Sequence, residues 1–358
     1  VVVEADRYRQ NGNESVIKPL GVVADQVQNV GLLGEKDALE TPFNSMTLTR
    51  KDLDYFGSPE KGPTDMLTLN PAVRDASSNL YNDVSIRGFN LNGHNMYLNG
   101  IQGMLDQQHA ADIYIDKATV IAGPNLGIVG TPNRENLGGT ILFTSKKAQA
   151  EPNLDLTLAY QGGKSFKEAV DFGTRLGHNQ RWGIRVMADN IQGETAIDGD
   201  KLTQRDFFVT IDQKTKKSKT NLLIGYNYAD QKGAQFTWNV NEYNQPKGSR
   251  LPKAPDNGRS YLPEWTNNEY DNWIATFNHE QILSDHTTAF FNAGYHREDW
   301  YGYQYGTPRL QNANGDYTVH PENYPLAVTT KYFGGGIKGK FNLGLTKHNY
   351  VLSADRMM

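Results

Sequence analysis

From Leu154 onward the chain alternates apolar and polar residues. In residues 181–189, Trp182, Ile184, Val186 and Ala188 share one face, and Arg185 and Asp189 take the other. In residues 221–229, Leu222, Ile224, Tyr226 and Tyr228 oppose Asn221, Gly225 and Asn227. Successive side chains of a strand point to opposite sides, so this period of two predicts antiparallel strands with one apolar and one polar face. Strands of ~9–11 residues with this pattern suit a membrane barrel, with lipid outside and water or protein within. The connections sort by parity. Tight turns are expected at 177–180, 214–219, 283–286 and 343–347, and longer polar loops at 193–203, 232–268 and 301–325, with a first, short connection of that second kind at 162–165. A soluble sandwich has no reason to sort its loops in this way.

The first 150 residues read differently, as short strands punctuated by glycine. VSIRGF (84–89) alternates Val84 and Ile86 against Ser85 and Arg87, then turns at Gly88. YLNGI (97–101), TVIAGPNLGIVG (119–130) and LGGTILFTSKKA (137–148) repeat the device. Residues 16–76 read as mixed α/β. Residues 48–55 are expected as a short helix with Thr49 as a cap and Asp52 in its first turn. Residues 64–69 are expected as another, with Thr64 as N-cap and a stop at Asn70-Pro71.

Composition narrows the function classes. There are 358 residues, enough for two domains, with a net charge of −4 and no cysteine. The mild acidity and lack of a basic tract argue against nucleic acid, and a thiolate metal site is excluded. No run approaches the ~20 apolar residues of a membrane helix. The chain starts VVVEA without a signal peptide, as expected of a mature exported protein or of a cytoplasmic one. No enzyme constellation stands out. The eight histidines (His94, His109, His178, His279, His286, His296, His320 and His348) have no metal-ligand spacing. Gly334-Gly335-Gly336 sits within an amphipathic segment, where it is expected to let another part of the protein approach the strand closely. Aromatic residues cluster in two long loops, Trp238, Tyr243, Tyr261 and Trp265 in one and Trp300, Tyr301, Tyr303 and Tyr305 in the other.

Taken in order, SIRG, NG before an apolar residue, GP, and GG leading into a strand and the basic pair Lys146-Lys147 resemble the plug domain of TonB-dependent outer-membrane receptors, especially those for ferric siderophores. The resemblance implies an α+β plug followed by antiparallel transmembrane β-barrel strands, an incomplete part of a 22-stranded barrel. Residues 1–15 would be a TonB-box-like segment and linker, 16–150 the plug, and 151–358 the amino-terminal portion of the barrel. It implies transport and not catalysis in the outer membrane of a Gram-negative-type cell. Iron would arrive bound in the siderophore, with no resident cofactor. The partners would be the TonB energy transducer, the ferric siderophore and outer-membrane lipid, with no nucleic acid. Val1, Val2, Val3, Glu4 and Ala5 would add as a strand to TonB, although a β-branched run of this kind also suits an edge strand of the first domain.

Polar loops at 76–83, 90–95 and 102–111 correspond to the plug apex, so Tyr81, Asn92, His94, Met104, Asp106 and Gln108 are candidate ligand contacts. The alternative is ordinary surface loop residues. Trp238, Tyr243, Trp265, Trp300 and Tyr303 are candidates to stack on a flat, catecholate-like ligand, against an aromatic girdle at the bilayer interface. Arg87 would be a buried plug–barrel anchor, whose acidic partners in similar receptors lie on late strands. Ala122 stands where similar plugs carry a second cation, and 131–136 is an expanded segment. About nine strands are visible where such barrels have ~22, and the ending Arg356-Met357-Met358 lacks the family's terminal aromatic, so the chain reads as truncated with open strand edges. Two alternatives stand beside this reading: the same fold serving haem, cobalamin or a glycan, and a soluble β-rich binding protein or lectin.

Overall fold

In the computed structural model, which describes residues 24–25, 27–29, 31–37, 43–57, 62–76, 81–124, 126–130, 137–233, 250–305 and 308–358, the glycine-punctuated half folds as a plug built on a six-stranded sheet. Strand β1 (Ala24–Asp25) is followed by the small pair β2 (Val27–Asn29) and β3 (Glu35–Asp37), and β4 (Asn44–Thr49) runs directly into helix α1 (Arg50–Phe56). Thr49 caps this helix: the Asp52 carboxylate accepts from its amide at 2.7 Å and from its hydroxyl at 2.9 Å. Leu48 belongs to the strand, which corrects the expected helix start. Its partner is Ala118, seventy residues on, and a ladder closed at that distance is invisible to a local pattern. The second helix forms as a 3-10 turn, Asp65–Leu69, after Thr64.

Next come β5 (Val73–Asp75), β6 (Val84–Ile86) and β7 (Phe89–Leu91), which form a three-stranded sheet. The hairpin β8 (Tyr97–Leu98) and β9 (Ile101–Gln102) follows, and then the long pair β10 (Ile115–Ala122) and β11 (Gly139–Ser145). Asn99 and Gly100 turn the hairpin with φ of 52° and 78°, the double positive-φ turn for which Asn-Gly is the preferred pair. Leu48, Met66, Ile86, Leu98, Val120 and Phe143 pack in one core.

The alternating half forms a single antiparallel sheet in sequence order: β12 (Asn153–Tyr160), β13 (Phe166–Leu176), β14 (Trp182–Glu194), β15 (Lys201–Lys214), β16 (Ser218–Lys232), β17 (Asn267–Ser284) and β18 (Thr287–Tyr301). The loop after β18 holds two small strand pairs, β19 (Tyr303–Tyr305) with β22 (Pro321–Asn323) and β20 (Arg309–Leu310) with β21 (Tyr317–Thr318). The wall then resumes with β23 (Leu326–Leu343) and β24 (Thr346–Met357). Short turns and long loops alternate as expected. Among the described residues the sheet is open, with β12 and β24 as its edges and nine strands in place of the 22 of the expected barrel.

Burial in the wall is inverted relative to a water-soluble sheet. Arg185, Asp189, Asn221 and Asn227 are buried against the plug, whereas Trp182 and Ile224, on the alternate face, are exposed. The apolar stripe read from the sequence is therefore the outer face. The role expected of Gly334-Gly335-Gly336 falls elsewhere. A Cβ at Gly334 or Gly336 would meet the neighbouring wall strand, and a cavity of about 420 Å³ separates Gly335 from the plug residues Tyr97 and Gln102. Close approach occurs at Gly294 instead, where a Cβ would lie 2.7 Å from Met104 Sδ and 3.0 Å from Ile101 Cγ2. Which wall glycine faces a plug bulge depends on how the two domains seat, not on the run of glycines.

Candidate functional site at the plug–wall interface

Near the short-turn end, lysine and arginine side chains tie the plug to the wall. Lys146 Nζ of the plug lies 2.8 Å from Asp171 Oδ2, and Arg185 grips the same carboxylate at 2.6 and 2.7 Å while donating to the Lys147 carbonyl at 2.9 Å. Arg175 bridges Asp212 (2.7 Å) and the Ala148 carbonyl (2.9 Å). Higher up, Lys167 of the wall lies 3.2 Å from Asp112, which Arg50 also approaches at 3.4 Å. Burial by itself would raise the Asp112 carboxyl, but Lys167 and then Arg50 outweigh it and hold the group well below the usual carboxylate range. Burial also lowers the Lys146 ammonium, as does neighbouring Arg50. Midway, Tyr114 of the plug stacks on Phe208 of the wall at 4.1 Å and 24°. Gly225 makes room for that ring, because a Cβ there would sit 2.0 Å from Phe208 Cδ1.

Toward the long loops the contact changes character. The plug residue Tyr81 meets Trp300 edge-on at 6.1 Å, and Trp300 also packs on Tyr270 and Tyr324. Burial, then Tyr324 and Asp83, push the Tyr81 phenol up to about 12. Beside this aromatic group, His94 Nε2 lies 2.8 Å from Glu298 Oε2, and His296 Nε2 lies 2.6 Å from Asp106 Oδ1. Asn99 and His109 complete the seam through Thr276 (3.0 Å) and Gln204 (2.6 Å).

The expected ligand contacts divide accordingly. Tyr81, Asn92 and His94 are half-buried at the plug apex. Met104, Asp106 and Gln108 are buried completely or nearly so, which corrects their expected placement on an outward loop surface. Segment 102–111 folds inward against β18, with Met104 filling the space left by Gly294 and Asp106 bonded to His296. Trp300 is buried and faces the plug, whereas its neighbour Tyr301 is half exposed on the opposite face; strand alternation separates two residues that the sequence groups together. Trp265 is exposed, and Tyr303 lies in β19. Trp238, Tyr243, residues 1–5 and the 131–136 expansion lie outside the described residues. Arg87 is exposed at the tip of the β6–β7 hairpin with φ of 52°, and the late strands expected to carry its acidic partners are not among those described. The cations that tie plug to wall are instead Lys146, Lys167, Arg175 and Arg185. Of these the sequence flagged only Lys146, in its basic pair, and Arg185, as a polar-face residue.

No family model matches the chain. In sequence it is 26% identical over 356 residues to the ferrichrome receptor FcuA of Yersinia enterocolitica, an alignment covering 98% of this chain and 46% of that protein. In fold it is similar to BauA, the ferric preacinetobactin receptor of Acinetobacter baumannii (TM-score 0.86, 24% identity, 93% of this chain and 49% of that one). It is also similar to the pyoverdine outer-membrane receptor FpvA of Pseudomonas aeruginosa (TM-score 0.76, 15% identity, 96% and 50%). The chain thus spans about half the length of the relatives it matches. A plug seated against strands that turn their apolar face outward, in a sequence similar to FcuA along nearly its whole length, gives the chain the fold of the leading half of these outer-membrane receptors.

Proposed function

We propose that the protein takes up a ferric siderophore, which binds above Tyr81, His94 and Trp300 and is admitted when TonB pulls on residues 1–5. In this reading residues 1–15 are the TonB-binding segment and linker, 16–150 the plug and 151–358 the leading part of a 22-stranded barrel. Exposed Trp265 and the loop residues Trp238, Tyr243 and Tyr303 add stacking surface for the ligand. Arg87 is positioned to meet wall strands beyond the nine described. Iron is cargo here and enters inside its chelator.

The observation that carries the reading is the inverted wall with a plug fixed against its polar face. A lipid-facing barrel blocked by a separately folded plug admits a solute only when the plug moves, which calls for an external pull. The ferrichrome and preacinetobactin receptors among the relatives favour an iron chelate over haem, cobalamin or a glycan. The test is uptake of radioactive iron, delivered as hydroxamate and as catecholate chelates, by cells that lack their own siderophore receptors and express the receptor carrying this sequence. Saturable uptake that needs TonB and disappears in Val2→Pro is expected, because proline removes a donor from the added strand. Uptake of haem or cobalamin but of no ferric chelate, or uptake indifferent to TonB, would overturn the assignment.

A further inference from the structure

Two of the eight histidines that looked scattered in the sequence meet two carboxylates where the plug apex touches the wall. One ligand atom each from Asp106, His296 and Glu298 lie within 4.8 Å of one another, and all three residues are buried. His94 joins through its 2.8 Å contact to Glu298, its ring 5.9 Å from that of His296 at 76°. We propose that these four residues form a site for a divalent first-row cation of the zinc class, which clips the plug to the wall.

Three independent features point to a cation. Asp106 Oδ2 and Glu298 Oε1 are buried without a hydrogen-bond partner among the described residues, and orphaned carboxylate oxygens of this kind need a ligand to offset their desolvation. Next, His296 Nδ1 lies 2.9 Å from the Gly103 carbonyl. A carbonyl only accepts, so Nδ1 carries a proton, and Nε2 is then the atom that a cation would take over from its contact with Asp106. Metal-binding histidines are oriented in this way, by a backbone carbonyl on the far nitrogen. Finally, neither carboxylate has a Lys or Arg ion-pair partner among the described residues; a dication would neutralise both at once.

The donor set selects the cation. Two imidazoles and two carboxylates suit a four-coordinate zinc-class ion, whereas magnesium and calcium favour oxygen alone. Ligand distances of about 2.0–2.2 Å place donor atoms roughly 3.3 Å apart, between the 2.6 Å and 4.8 Å separations present. Rotamer adjustments suffice to close the site. Only His94, with 24% of its side chain exposed, opens toward solvent, so it is the point of entry. His94 and Asp106 come from the plug, His296 and Glu298 from β18. The cation would therefore link two elements that uptake must part.

The test needs no siderophore, so its result is independent of the uptake reading. The full receptor in detergent, stripped with a chelator, is titrated with zinc chloride by calorimetry, and bound metal is counted by mass spectrometry. Cobalt(II) serves as a spectroscopic probe of geometry. One equivalent of zinc, tetrahedral cobalt bands, and affinity at least tenfold weaker in Asp106→Asn/Glu298→Gln are expected. His94→Ala, at the rim, keeps the buried residues intact and is expected to weaken binding and abolish the rise that zinc produces in the plug's urea midpoint. Absence of saturable binding, a hydrated octahedral cobalt spectrum, or zinc affinity unchanged in both variants would overturn the proposal and leave a cluster held by shared protons.

Discussion

Toward the short turns, Asp171 is shared by Lys146 and Arg185, and Arg175 closes on Asp212, so that end of the plug–wall contact is held by lysine and arginine side chains on carboxylates. Toward the long loops, Asp106 and Glu298 pair with His296 and His94 and, among the described residues, with no lysine or arginine, beneath an aromatic group centred on Trp300. One end is a fixed anchor. The other is made of imidazole–carboxylate contacts in which Asp106 Oδ2 and Glu298 Oε1 have no hydrogen-bond partner among the described residues.

The largest effect is expected from breaking the fixed end. Asp171→Ala leaves the buried Lys146 and Arg185 without their carboxylate, and removal of one partner from a buried pair costs about 3–5 kcal/mol. A urea midpoint for plug release, followed by fluorescence, should fall accordingly. A change under about 1 kcal/mol, the scale of an exposed pair, would reduce these contacts to surface ion pairs.

Next in size is the seam between the two ends. Gly294→Val places a methyl-bearing carbon against Met104 and Ile101, and overpacking of this kind costs about 1–3 kcal/mol. The same midpoint measures it, and Met104→Ala in the valine background should recover part of the loss by vacating the space.

At the long-loop end, Tyr81→Ala and Trp300→Ala remove an edge-on aromatic pair. Each is expected to weaken ferric-siderophore affinity by about 0.5–1.5 kcal/mol, or roughly threefold to tenfold, with little effect on plug release. Equal losses in both assays would mean that the two ends do not differ in function.

The smallest effect, nearly silent at neutral pH, concerns Asp112. Its carboxyl is held below its ordinary value by Lys167 and Arg50, so the unfolded chain binds the proton more readily than the native state. The stability it adds is full above the unfolded value of about pH 4 and is lost as pH falls through the native value. Asp112→Asn should therefore flatten the acid limb of the plug-release curve while leaving the neutral midpoint nearly unchanged, since Lys167 keeps Asp189 at 3.0 Å and Arg50 keeps Asp54. An acid limb identical in both proteins would show that the pairing does not persist in solution.

Much of the fold was legible because its rules are local. A strand's side chains alternate whatever lies beyond it, so the two faces of β14 and β16 followed from the order of Trp182 to Asp189 and of Asn221 to Ala229. Asn99-Gly100 and Arg87-Gly88 turn where their backbones permit positive φ. Loop parity follows from strand order alone. The plug–wall seating obeys no such rule. Asp106 and His296 are 190 residues apart, and Lys146 and Asp171 meet across two domains. Only the assembled interface decides that segment 102–111 folds inward, that Gly294 and not the triple glycine receives the plug, and that Trp300 turns in while Tyr301 turns out. Local periodicity says that a strand has two faces. Packing against a second domain determines which residues of the inner face acquire partners, and those partners carry the chemistry.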